Sequence, residues 1–164
     1  MINPHQFCGL ILEPALRACN LYSLDAMYLM TATALMESKL THLKQLPEGP
    51  ALGVMQIEAA TYKDLVRYLA TNQQMRSMIL NYCERTYLPY ETQNIIGDLT
   101  LSVLMARVKY WMVPEAIPSY KDVAGQAAYY KRYYNTSEGA ATIEQFEKAA
   151  QDLRGWINHG DETS

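Results

Sequence analysis

Leu35-Met36-Glu37-Ser38, followed after an interval by Gly53-Val54-Met55-Gln56-Ile57, is the stretch around which this chain organises itself. It reads as one acid, Glu37, at the end of an apolar helix, facing a glycine-led turn that lines a cleft. Upstream, Ser23 is placed to cap a helix with Leu24, Met27, Tyr28, Thr31, Ala34, Leu35 and Ser38 on one broad face, running to about Glu37. That helix is apolar nearly all round and is expected to be buried. Downstream, from Lys39 to Gly53, the helical period fails and Pro47, Glu48, Gly49 and Pro50 mark a turn between short extended pieces. A small β-hairpin is expected there.

Outward from this centre the chain is helical. Phe7, Leu10, Ile11, Ala15, Ala18 and Cys19 repeat at helical spacing from Pro4 to about Asn20, and Pro14 should kink or divide that helix. Tyr62, Leu65, Val66 and Leu69 predict a helix starting near Glu58, and Asn72 is suited to cap another through Met75, Met78, Ile79 and Tyr82. The longest helix, a central strut, is expected from about Thr92 to Val113, with Ile95, Ile96, Leu99, Val103, Ala106 and Tyr110 on its core stripe. Asp122 should cap a helix from Val123 to Tyr134, and Asn135, Ser137 and Gly139 break the pattern. Thr142 and Gln145 have the capping-box spacing for a last helix to about Trp156, with a frayed tail after His159. The fold class is mainly α, one helical domain over residues 1–164 with one small β-hairpin.

With 164 residues, 49% hydrophobic and 19% charged, the chain is long enough to bury its own core. Only two Phe are present against thirteen Tyr and nine Met. Tyrosine combines an apolar ring with a hydroxyl that wants a partner, so the surplus suits core and rim positions and grooves where a sugar ring stacks. A net charge of −3 argues against a nucleic-acid partner, which demands a dense basic field. Cys8, Cys19 and Cys83 lack the spacing of a zinc site or a disulfide framework, and His5, His42 and His159 are too scattered for a metal. No cofactor is expected. The N-terminus does not read as a signal peptide, and no apolar run is long enough to span a bilayer.

A carboxylic acid works as a general acid near neutral pH only if its pKa is raised, and burial against apolar walls is the commonest device. Glu37 is placed for that, beside Ser38, whose hydroxyl is in position to orient the carboxyl. A glutamate in this place also reads as an ordinary solvent-facing residue, although an acid at a helix C-terminus is mildly unfavourable.

Glu37-Ser38, Gly53-Val54-Met55-Gln56, and Asn94-Ile95 with Gly97 together resemble the soluble lytic transglycosylases of the lysozyme superfamily, whose motifs are E-S, G-L-M-Q and N-I-x-x-G. The likeness runs in outline from about residue 24 to 136. Val54 replaces Leu, Gly97 sits one residue early, and the A-A-Y-N element of that family is met by Ala127-Ala128-Tyr129 with Tyr130 where Asn belongs. The nearest Tyr-Asn pair is Tyr134-Asn135, so the tyrosine expected to face the acid is Tyr129 or Tyr134. The run from Tyr129 to Thr136 resembles bacteriophage members.

What the resemblance implies is a lysozyme-like α+β fold and cleavage of the MurNAc-β-1,4-GlcNAc bond of peptidoglycan, with a 1,6-anhydro product and Glu37 as the single acid/base. Ser38, Met55, Gln56, Tyr129, Tyr134 and Asn135 are then the substrate-binding candidates, glycan strands the partner, and no metal is required. A phage protein would be made in the host cytoplasm and act on the cell wall, as a lysis protein or beside other proteins of a virion. Two other readings stand beside this one. A hydrolytic muramidase needs a second acid, for which Glu48, Glu58 and Asp98 are candidates. A virion structural or wall-binding protein on the same fold needs none.

Overall fold

The computed structural model of the chain describes residues 1–45, 49–89, 91–135 and 141–157, the last four without their side chains. The N-terminal helix is built in three consecutive pieces, α1 (Pro4–Gln6), a π-helical segment Phe7–Leu12, and α2 (Glu13–Ala18). Pro14 explains the division. It has no N–H to give and its ring crowds the preceding turn, and the wider turn before it, closed by Glu13 N–H on the Cys8 carbonyl, absorbs both.

Helix α3, Leu24–Ser38, is the central element. Every residue from Ala26 to Ala34 is buried, and the helix packs against the Phe7–Leu12 segment and three later helices. Ser23 caps it, its Oγ accepting from Ala26 N at 3.0 Å. Complete burial of Leu29 and Met30 contributes about 1.5–3 kcal/mol for each side chain. Helices α4 (Ala59–Thr71) and α5 (Gln73–Tyr82) follow, the second capped by Asn72 as its sequence predicts.

The expected strut from Thr92 to Val113 is in fact two pieces, a single turn α6 (Asn94–Gly97) and α7 (Leu99–Trp111). Asp98 divides them. Its backbone leaves the helical region at φ −106° and ψ 87°, and its carboxylate accepts from Leu101 N at 2.8 Å to start the second helix. Helix α8 (Val123–Tyr130) is capped by Asp122 and runs directly into a π-helical turn, Lys131–Asn135. Helix α9 (Ile143–Ile157) opens with the predicted capping box, Thr142 and Gln145 exchanging bonds of 3.2 and 3.0 Å. It buries Phe146, Ala150 and Leu153 against α3 and α8.

The hairpin expected between Lys39 and Gly53 does not form among the described residues. Two isolated antiparallel bridges take its place, Lys44 with Leu52 and Leu52 with Ile57. The extended run is too short to make a ladder because Gly53 (φ 75°), immediately after Leu52, and Gln56 (φ 48°), three residues on, both turn left-handed. Pro47, Glu48, Ser137, Gly139 and His159 lie outside the described residues. Among the described residues, no helix is long and apolar enough to cross a membrane.

Candidate active site

Glu37 occupies the last turn of α3, half-buried, and the chain leaves that helix abruptly. Lys39 and Leu40 both take left-handed backbone, with φ of 52° and 53°. Ser38 stabilises this exit. Its buried hydroxyl donates to the Ala34 carbonyl at 3.1 Å and accepts from Leu40 N at 3.2 Å. The expectation that Ser38 orients the carboxyl is therefore corrected, since both its bonds go to backbone and it positions Glu37 only by fixing the helix end.

The tyrosine on Glu37 is Tyr130, not Tyr129 or Tyr134. Its hydroxyl donates to Glu37 Oε1 at 2.7 Å, its ring is buried, and Phe146 of α9 stacks behind it at 5.0 Å between centroids. Asn135 also lies beside the Glu37 carboxyl and favours its ionised form. The Asn135 side chain is itself held by Lys131, whose Nζ donates to Asn135 Oδ1 at 2.9 Å.

The π turn is the reason two residues five apart meet on one carboxyl. Five residues of α-helix make about 1.4 turns and send side chains apart, whereas one wider π turn brings them toward the same face. Sequence reading misses this because it aligns Tyr130 with an expected Asn and assumes an uninterrupted α-helix. Tyr129 instead points its hydroxyl at the Glu115 carbonyl, 3.0 Å away. Tyr134 donates to the Met55 carbonyl at 2.7 Å, which ties the π turn to the turn at Gly53–Gln56.

That second turn is tightly held. At Gly53 a Cβ would lie 2.7 Å from Ser102 Oγ and 2.8 Å from the Ile95 carbonyl. The Gln56 side chain bends back, Nε2 donating to the Gly53 carbonyl at 2.8 Å. Met55, expected to line a cleft with its side chain, has that side chain completely buried and contributes its carbonyl instead.

Burial is the main influence on Glu37, and it raises the carboxyl above its ordinary pKa; the Tyr130 hydroxyl, the Lys109 ammonium and Asn135 pull in the other direction. Lys109 projects from the largely buried α7, two residues after Arg107. Its ammonium donates to the Tyr134 carbonyl at 3.0 Å and sits 3.8 Å from the centre of the Tyr134 ring. A cation inside a helix that is buried from Leu101 to Val108 was the available sequence signal for it.

The raised Glu37 has a consequence for stability. A carboxyl whose folded pKa exceeds its unfolded value binds its proton more tightly when folded, so its contribution is complete below the unfolded value, about 4.3, and is lost as pH rises through the folded one. The melting temperature of wild type minus that of Glu37→Gln should therefore fall as pH is raised from about 4 toward neutrality. A difference that grows with pH in calorimetry would mean that the folded protein stabilises the carboxylate.

Of the second-acid candidates, Asp98 is committed to capping α7 and to a 2.8 Å ion pair with Arg85. Glu58 is exposed at the start of α4, and Glu48 lies outside the described residues. Among the described residues, no group of three or more His, Cys, Asp or Glu is arranged to hold a metal ion. No protein-family model, curated protein or solved structure matches this chain, so its functional reading rests on the residues of the site themselves.

Proposed function

We propose that this protein is a peptidoglycan lytic transglycosylase in which Glu37 is the only acid/base. The observation that carries the reading is one half-buried carboxyl that accepts from the buried Tyr130 hydroxyl at 2.7 Å, in surroundings whose burial raises its pKa. A group of that kind keeps its proton to a higher pH than an ordinary carboxyl and so remains available to donate it.

In the first step protonated Glu37 gives its proton to the glycosidic oxygen, the bond to C1 of N-acetylmuramic acid breaks, and N-acetylglucosamine leaves with a free hydroxyl. In the second, the Glu37 carboxylate takes the proton of the muramoyl C6 hydroxyl as that oxygen bonds to C1. The ring closes as a 1,6-anhydro sugar, Glu37 regains its proton, and no water is consumed. The substrate's own acetamido group would stabilise the positive charge developing at C1, so no second protein carboxylate is called on. This fits the commitments of Asp98 to Arg85 and to the α7 cap.

Tyr130 would act by holding the carboxyl in one orientation. Tyr130→Phe removes the donor and leaves the ring on Phe146, so turnover should drop roughly ten- to hundredfold with little change in folding. Loss of that hydrogen bond raises the Glu37 pKa further, so the alkaline limb of the rate profile should move to higher pH. Rates across a pH series on isolated peptidoglycan check both, and an unshifted limb would remove Tyr130 from this role. The reading as a whole is tested by incubating purified protein with peptidoglycan in a renaturing gel, where a cleared band is expected and none is expected from a wall-binding or structural protein. A phage origin, with action during wall penetration or lysis, is the biological setting we propose.

A further inference from the structure

We propose that Lys109 is a positioning residue of this site, which caps the π turn at the Tyr134 carbonyl and brings a positive charge to Glu37. The inference rests on the reading of Glu37 as the acid/base. Lys109 touches no reacting atom in that reading, but three contacts converge on it or on the residue it holds. Its ammonium donates to the Tyr134 carbonyl at 3.0 Å, it lies 3.8 Å from the Tyr134 ring centre, and the Tyr134 hydroxyl in turn donates to the Met55 carbonyl at 2.7 Å.

The carbonyls of a helix's last turn have no partner inside the helix, and a cation there satisfies the hydrogen bond and opposes the negative end of the helix dipole. Tyr134 lies in the last turn of its helix among the described residues, Lys131–Asn135. That turn carries Asn135 and follows directly on Tyr130, whose hydroxyl donates to the Glu37 carboxyl at 2.7 Å. Holding its backbone at Tyr134 therefore holds the Tyr130 donor in register. The ring beneath the ammonium supplies the face that a partly desolvated cation needs.

Glu37 is faced by Tyr130, Tyr134 and Asn135 from α8 and its π turn and by Lys109 and Tyr110 from α7, and Lys109 is also influenced by Glu58 at the start of α4. In this set the ammonium favours the ionised carboxyl, so removing it should raise the pH at which Glu37 loses its proton. A residue acting only through packing would leave that titration unmoved.

The test is the titration of the Glu37 side-chain carboxyl by carbon-13 NMR in wild type, Lys109→Met and Lys109→Arg, with near-ultraviolet circular dichroism to verify the fold and Lys109→Gln replacing the Met variant if that spectrum is lost. The midpoint should move upward in the uncharged variant and return toward wild type in Lys109→Arg, and muropeptide release by the uncharged variant should fall roughly ten- to hundredfold. An unchanged midpoint in the uncharged variant, or the same upward movement in Lys109→Arg, overturns the proposal. The titration needs no substrate, so a wild type that releases no muropeptides would remove the transglycosylase reading while leaving the Lys109 result to be read by itself.

Discussion

Glu37→Gln is expected to lower peptidoglycan cleavage by about 10³-fold or more while the protein stays folded. Glutamine is nearly isosteric and keeps an Oε1 that can accept from the Tyr130 hydroxyl at the 2.7 Å contact, so the surrounding side chains should pack as before. What it lacks is a proton to give and a carboxylate to receive one. In a single-acid mechanism both steps fail together, so no partial rate should survive through the second step alone. Muropeptide release measured over a dilution series of enzyme, with the melting temperature taken on the same samples, checks this. Activity within tenfold of wild type would show that another group does the proton transfer, and Glu58 would be the first to examine.

The second large effect is on stability. Gly53→Ala should destabilise the fold by about 2–4 kcal/mol, the sum of a left-handed backbone at φ 75° and a methyl group pressed on its surroundings. One neighbour, Ser102 Oγ at 2.7 Å, can rotate away, but the other is the Ile95 carbonyl at 2.8 Å, which cannot move without shifting α6. For a chain of 164 residues this corresponds to a melting temperature roughly 5–15 °C lower. Gly97→Ala is the control, because nothing lies within 4 Å of a Cβ there, and it should stay within about 1 kcal/mol of wild type. Equal losses at the two positions would show that the close approach at Gly53 has no special importance. A displaced Gly53 turn would also carry the Met55 carbonyl off the Tyr134 hydroxyl and loosen the site from its far side.

Much of the fold was legible in the sequence because helix starts are written in single residues. Ser23, Asn72, Asp122 and the Thr142-Gln145 box each cap the helix they were expected to cap, since a side chain that satisfies an orphan N–H works locally whatever the rest of the chain does. Asp98 uses the same chemistry and was missed, because the apolar stripe on either side of it reads as one helix. The β-hairpin was overestimated for the opposite reason. Proline and glycine between extended residues predict a turn, but they carry no sign that Gly53 and Gln56 both turn left-handed and cut the pairing to isolated bridges.

At the site, the carboxyl and the turn across from it were found from short motifs, and the groups that hold them were not. Asn135 comes to the side of Glu37 that Tyr130 occupies because α8 widens into a π turn, a change of hydrogen-bonding register that no spacing rule for α-helices anticipates. Ser38 and Met55 are adjacent in sequence to the right features, yet the one serves the helix exit and the other offers only its carbonyl. Lys109 lies 72 positions from Glu37 and is brought near it by the packing of α7 beside α3.

The central claim is that one acid closes the cleaved sugar on itself without water. Mass spectrometry of muropeptides released from purified peptidoglycan by the wild-type protein addresses it most directly. Chains ending in 1,6-anhydro-N-acetylmuramic acid are expected, lighter by one water than hydrolytic products, with no incorporation of oxygen from labelled water. Reducing N-acetylmuramic acid ends carrying that label would contradict it and assign the protein to hydrolysis.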